Sequence, residues 1–191
     1  MPRAREFDAD QALDLATELF WSKGYERTSI ADLEEHLGLG RQSIYSAFGD
    51  KQQLYAAVLA RYASRQPAAR VPLFRPDAGL LELKAFFENL IRLLTGEPRR
   101  SCLLINSALE MREPNPELGR AAHENEKHLV RGLKHTLAGA VKRRELKSVG
   151  DVDAAALFLV SQVYGLNVMS RQGSSAATLR RVAERALGAL K

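Results

Sequence analysis

Apolar residues recur every third or fourth position along most of the chain, the spacing of one face of an α-helix. Ala12, Leu15, Ala16, Leu19 and Phe20 make the first such face. It predicts a helix from Asp8 or Asp10 to Lys23, favoured at its start by the two aspartates and stopped by Gly24. Ile30, Leu33 and Leu37 mark a second helix over about 29–36, with Thr28 as its N-cap. Gly38 and Gly40 bracket Leu39, a tight turn between helices that must cross steeply. A third helix over about 41–48 buries Ile44 and Phe48. Asp50 caps a fourth, expected to end near residue 65, with Leu54, Tyr55, Val58 and Leu59 inward.

The stretch "QPAARVPLFRPDAG" (66–79) holds three prolines and a glycine and is the best boundary candidate. Helices are expected over about 80–95, 100–111 and 116–144, the last with Asn115 as N-cap and Pro116 at its first position. Two more follow, one from an Asp151 cap to about 171 and one from Ser174 or Ser175 to about 190. No run alternates with period two. The chain therefore reads as all-α, with about nine helices.

Composition changes this picture little, but charge placement refines it. The longest apolar stretch, "AAALFLV" (154–160), reads as a buried helix segment, and no run suggests a membrane span or a signal peptide. The single cysteine, Cys102, cannot form an internal disulfide and fits a reducing cytoplasm. The net charge is +5. Residues 1–66 carry eight Lys/Arg against ten Asp/Glu, so the basic excess lies in the other part of the chain. Bulk charge would thus place a nucleic-acid surface in the wrong half. The runs around Lys142–Lys147 and Arg180–Arg181 read as solvated faces and cations near helix C-termini.

Local donors point elsewhere. With Ile44 and Phe48 inward, a 100° step per residue turns Gln42, Tyr45 and Ser46 outward, with Arg41 and Ser43 beside them. Arginine can read guanine and glutamine adenine from the major groove. Thr28 and Lys51 stand at helix starts, where a phosphate can be held. Arg3 and Arg5 could enter a flanking minor groove.

These positions also form a pattern: Phe20, Gly24, Tyr25, Thr28, Ser29 and Ile30, then Leu33, His36 to Leu39, Ser43 to Tyr45, Phe48, Lys51 and Leu54. The pattern resembles the DNA-binding domain of TetR/AcrR-family transcriptional regulators. The resemblance implies a three-helix helix-turn-helix domain over 1–50, a connecting helix over 51–65 and a ligand-binding and dimerisation domain over 66–191. It implies a homodimer paired through the last two helices on a palindromic double-stranded DNA operator, released by a small-molecule effector. Carried over by position, Thr28, Tyr45 and Lys51 resemble phosphate contacts, and Arg41, Gln42, Ser43 and Ser46 base-facing ones. Gly40 stands where the family commonly has Ser or Thr, so the third helix should lose a side-chain cap. Ala47 replaces a frequent His.

The resemblance places Phe86, Phe87, Cys102, Leu104, Asn106 and Tyr164 around an effector pocket, which their lining suggests is mostly apolar or aromatic. Cys102 admits two readings, a sensor of thiol-reactive effectors or a small buried hydrophobe, and the second is preferred. His123, Glu124, His128 and His135 lie on the long helix, with Glu124 and His128 on one face; a metal site would need further ligands and nothing in the spacing demands one, so neither a metal nor a cofactor is expected. An enzyme using Cys102 lacks a second catalytic motif. An interaction module that kept the fold without operator binding is the remaining alternative.

Overall fold

The computed structural model describes residues 8–97, 101–110 and 116–190; Arg3, Arg5 and Asn115 lie outside them. Among the described residues there are nine α-helices and no strand. They are α1 (Ala9–Lys23), α2 (Ile30–Leu37), α3 (Arg41–Phe48), α4 (Lys51–Arg70), α5 (Leu80–Thr95), α6 (Leu103–Glu110), α7 (Pro116–Lys142), α8 (Val152–Arg171) and α9 (Ala176–Gly188).

Several ends differ from expectation for local reasons. Ser29, not Thr28, caps α2, in a reciprocal box with Asp32. Helix α4 runs through Pro67 to Arg70, because packing along α1 and α7 outweighs the lost proline N–H. Helix α7 stops at Lys142 rather than Arg144. Arg144 takes φ +60°, and the N–H groups of Glu145 and Leu146 turn back to the Ala140 carbonyl. Arg143 is not simply solvated: it pairs with Glu145 and Glu82, while Glu145 accepts from the Leu80 N–H at 2.8 Å.

Two hydrophobic clusters divide the interior. One gathers α1 to α4 around Phe20, Leu33, Ile44, Leu54 and Tyr55, and takes in Leu103, Leu104 and Leu118 from α6 and α7. The other joins α5, α7, α8 and α9. Helix α4 is tied back to α1 by Arg61, whose guanidinium grips Asp14 at 2.8 and 2.9 Å and reaches Asp10 at 2.8 Å. Arg61, and after it Arg65, hold the Asp14 carboxyl down to about 2. The acids of α1 are thereby largely neutralised within the fold. The turn between α4 and α5 lies flat on α7, where Gly139 has no side chain: a Cβ there would stand 2.1 Å from the Ala78 carbonyl.

Helix α8 corrects the reading of its apolar run. Leu157 and Phe158 are exposed by 53% and 39%, as is Val168 by 37%. By length and composition α8 is apolar enough to cross a membrane, contrary to expectation.

Candidate nucleic-acid interface

Helix α3 is short and nearly all surface. Ile44 is fully buried, while Arg41, Gln42, Ser43, Tyr45, Ser46 and Ala47 are exposed. The five polar side chains expected to face DNA therefore stand together on one projecting helix. Gly40 gives it no side-chain cap, as expected. The structure supplies one from elsewhere: the Glu34 carboxylate of α2 accepts from the Arg41 N–H at 2.7 Å, and its other oxygen lies 3.6 Å from Arg41 Nε. Glu34 was not foreseen. The empty position 40, six residues after a glutamate across a glycine turn, was the available signal.

Thr28 is a correction. It is 1% exposed, and its hydroxyl donates to the Gly24 carbonyl at 2.6 Å. It fixes the α1–α2 turn instead of presenting an oxygen to solvent. Ser29, one residue on, is exposed at the start of α2. Its hydroxyl and the Lys23 ammonium both engage Asp32, and these contacts, Lys23 first, hold the Asp32 carboxyl far below its usual range.

Lys51 is also more internal than expected. Its ammonium donates to the Tyr25 and Thr28 carbonyls at 3.1 and 3.0 Å and sits 4.3 Å above the Tyr25 ring. Tyr25 stacks on Tyr55 at 4.7 Å, and burial pushes the Tyr55 phenol up to about 12. Lys51 thus locks the start of α4 onto the turn that orients α2 and α3.

Behind this domain a cleft of about 580 Å³, mouth included, opens among α4 to α8. Phe86, Cys102 and Tyr164 line it, as expected. Phe87 does not: it is 1% exposed in the core, edge-on to Phe86 at 5.4 Å. Leu104 packs into the α1–α4 cluster, and Asn106 turns away to accept from the Ser101 hydroxyl at 2.9 Å. Both were placed one helical face off. Asn167 and Glu126 line the cleft and were not foreseen: Glu126 lies in the polar run 123–128, where nothing in the sequence marks it as facing inward. The Cys102 N–H donates to Asn167 Oδ1 at 2.8 Å. Burial, then the neighbouring Cys102, pushes the Tyr62 phenol up.

Helix α6 touches both regions. Cys102 and Ile105 face the cleft, while the Glu110 carboxylate accepts from the Tyr25 N–H at 2.9 Å. At the other end of α6, Trp21 Nε1 donates to the Ser101 carbonyl at 2.5 Å. Gly24, at φ +85°, leaves room for Glu110: a Cβ would lie 2.9 Å from its oxygens. Of the histidines, His135 Nε2 lies 2.9 Å from the Arg75 carbonyl and the His128 ring 4.7 Å from that of Phe74.

Comparison with known proteins places this geometry. Residues 12–58 match the model of bacterial regulatory proteins of the tetR family. Residues 79–186 match the tetracyclin repressor-like C-terminal domain. The chain belongs to the TetR family. It is a DNA-binding transcriptional regulator, and TetR regulators respond to ligands and function as dimers. One TetR relative, the HTH-type transcriptional regulator YezE of Bacillus subtilis, is 35% identical over 82% of this chain and 81% of its own. The HTH-type transcriptional repressor ComR of Escherichia coli is 30% identical over 95% and 88%. A cysteine mutant of the TetR regulator CifR, solved with 26-base-pair double-strand operator DNA, is 28% identical, covers 98% of this chain and 99% of its own, and superposes with a TM-score of 0.84.

Proposed function

We propose that this regulator represses transcription as a homodimer on a palindromic operator in the cytoplasm, and lets go when a small molecule fills the α4–α8 cleft. The observation that carries the ligand-responsive part is the double attachment of α6, which walls the cleft and grips the α1–α2 turn through Glu110. A ligand that fits only one position of α6 biases the orientation of α3 through that contact. The cleft binds its ligand without turning it over. The divisions of the chain are a reading domain over 1–50 and a ligand and pairing domain from 66 onward, with α4 serving both.

On DNA, Arg41, Gln42, Ser43 and Ser46 face the bases, and Tyr45 reaches the backbone. The first-turn N–H groups of α2 take the phosphate contact expected of Thr28. Lys51 keeps one N–H for a phosphate beyond the two it spends on carbonyls.

The test is selection of bound genomic fragments by the purified chain at moderate salt, with footprinting of the winners. A palindromic footprint with half-sites about one helical turn or more apart supports the reading. Weak, salt-sensitive binding without a footprint favours the interaction-module alternative. On the selected site, Arg41→Ala and Gln42→Ala should each cost about 1–3 kcal/mol and relax specificity at one base pair per half-site. Equal weakening on every sequence would reassign them to phosphates.

Glu110→Gln should leave ligand binding in the cleft intact and reduce its effect on DNA. The readout is ligand affinity with and without operator, whose ratio should fall toward one. An unchanged ratio would place the coupling elsewhere.

A further inference from the structure

Among the described residues, ten acids are held in ion pairs. Asp10, Asp14, Asp32, Glu34, Glu82, Glu88, Glu110, Glu124, Glu145 and Asp153 each lie within 4.0 Å of a Lys or Arg nitrogen. Of the acids outside these pairs, Glu126 is the one on the cleft wall. It stands on α7 at the wall of the cleft, half-buried, and accepts a short hydrogen bond from the Tyr164 hydroxyl. Among the described residues no Lys or Arg pairs with it, and the cleft wall holds no Lys, Arg or His.

The rest of the wall is mostly apolar, with neutral amides from Gln66, Asn89, Asn125 and Asn167. Phe86, Leu90, Leu93, Ile105, Leu129 and Val163 supply most of it. Both polar atoms of the Asn167 amide are used, by the Cys102 N–H and the Val163 carbonyl, and Asn89 Oδ1 accepts from Arg92. A neutral apolar ligand filling this space would strip water from a carboxylate and offer nothing back, and an anionic one would be repelled. A cation would pair with Glu126 and lie near the faces of Phe86 and Tyr164.

We propose that the cleft is built for a compact apolar or aromatic molecule carrying a protonated amine, with Glu126 as its anionic partner. This rests on the reading of the cleft as the effector site. The tyrosine hydroxyl holds one carboxylate oxygen in place and leaves the other for the ammonium group.

Calorimetry on the full chain with phenylbutylamine, phenylbutanol and phenylbutyrate tests it. The amine should bind about tenfold or more tighter than the alcohol, and the carboxylate weakest. Glu126→Gln should erase the preference for the amine without weakening the alcohol. The wild-type comparison decides the matter even if that variant folds poorly. Alcohol or carboxylate binding as tightly as the amine overturns the amine inference and leaves the effector cleft standing. No binding by any of the three beyond that of an Ile105→Trp variant, whose indole fills the cleft, overturns both.

Discussion

Leu157→Glu should leave the subunit folded and nearly abolish operator binding. Leu157 is 53% exposed in the single chain, so a charge there breaks no internal packing. Its neighbours on the outer face of α8, Phe158 and Val168, are also exposed, and only a third of the most apolar window of the helix is buried within one subunit. An apolar surface of this kind on a TetR chain is the surface that a second copy covers. Two glutamates facing each other across a two-fold axis would repel in a desolvated interface. A monomer keeps one reading head and loses the linkage to the second half-site, worth about a hundredfold or more in affinity. Sedimentation equilibrium and an operator titration check both halves of the expectation. A variant that stays dimeric would move the pairing face off α8.

Ile44→Ala should have the largest effect on the reading head itself. Helix α3 has eight residues, below the length at which an isolated helix holds together in water. Ile44 is its one fully buried side chain, set against the cluster of Leu33, Leu54 and Tyr55. Truncation leaves a cavity, with the half-buried Phe48 and the Glu34 cap as the remaining anchors. The cost should be about 2–5 kcal/mol in urea unfolding, with loss of DNA binding. Ser46→Ala on the exposed face should stay within about 0.5 kcal/mol of the parent. A loss below about 1 kcal/mol for Ile44→Ala would mean that the Glu34 cap, not core packing, holds α3.

Helices and the exposed face of α3 were legible because their information is periodic and local. Ile44 and Phe48 four residues apart determine where Arg41, Gln42, Tyr45 and Ser46 point, whatever the rest of the chain does. Pairings distant in sequence were not legible. Glu110 lies 85 residues from Tyr25, and Lys51 lies 26 from the same residue, so no spacing rule connects them. Thr28 and Ser29 are both good caps, and only the reciprocal bond to Asp32 decides between them. In the cleft, Leu104 and Asn106 were assigned to the wrong face because α6 packs on two sides. One of its faces closes the α1–α4 cluster and the other lines the cavity, so apolarity alone does not tell them apart. The run through Pro67 shows the converse: a local breaker signal lost to packing along a neighbouring helix.

Trp21 is the only tryptophan in the chain. Its indole N–H bonds the Ser101 carbonyl, and its ring stands edge-on to Tyr62 at 5.1 Å. The molecule thus carries its own optical probe at the seam between reading head and cleft. Any movement of α6 relative to α1 changes the polarity and hydrogen bonding around that indole. Intrinsic emission, excited where tyrosines do not absorb, therefore follows the switch in unlabelled protein, and stopped-flow mixing can time it.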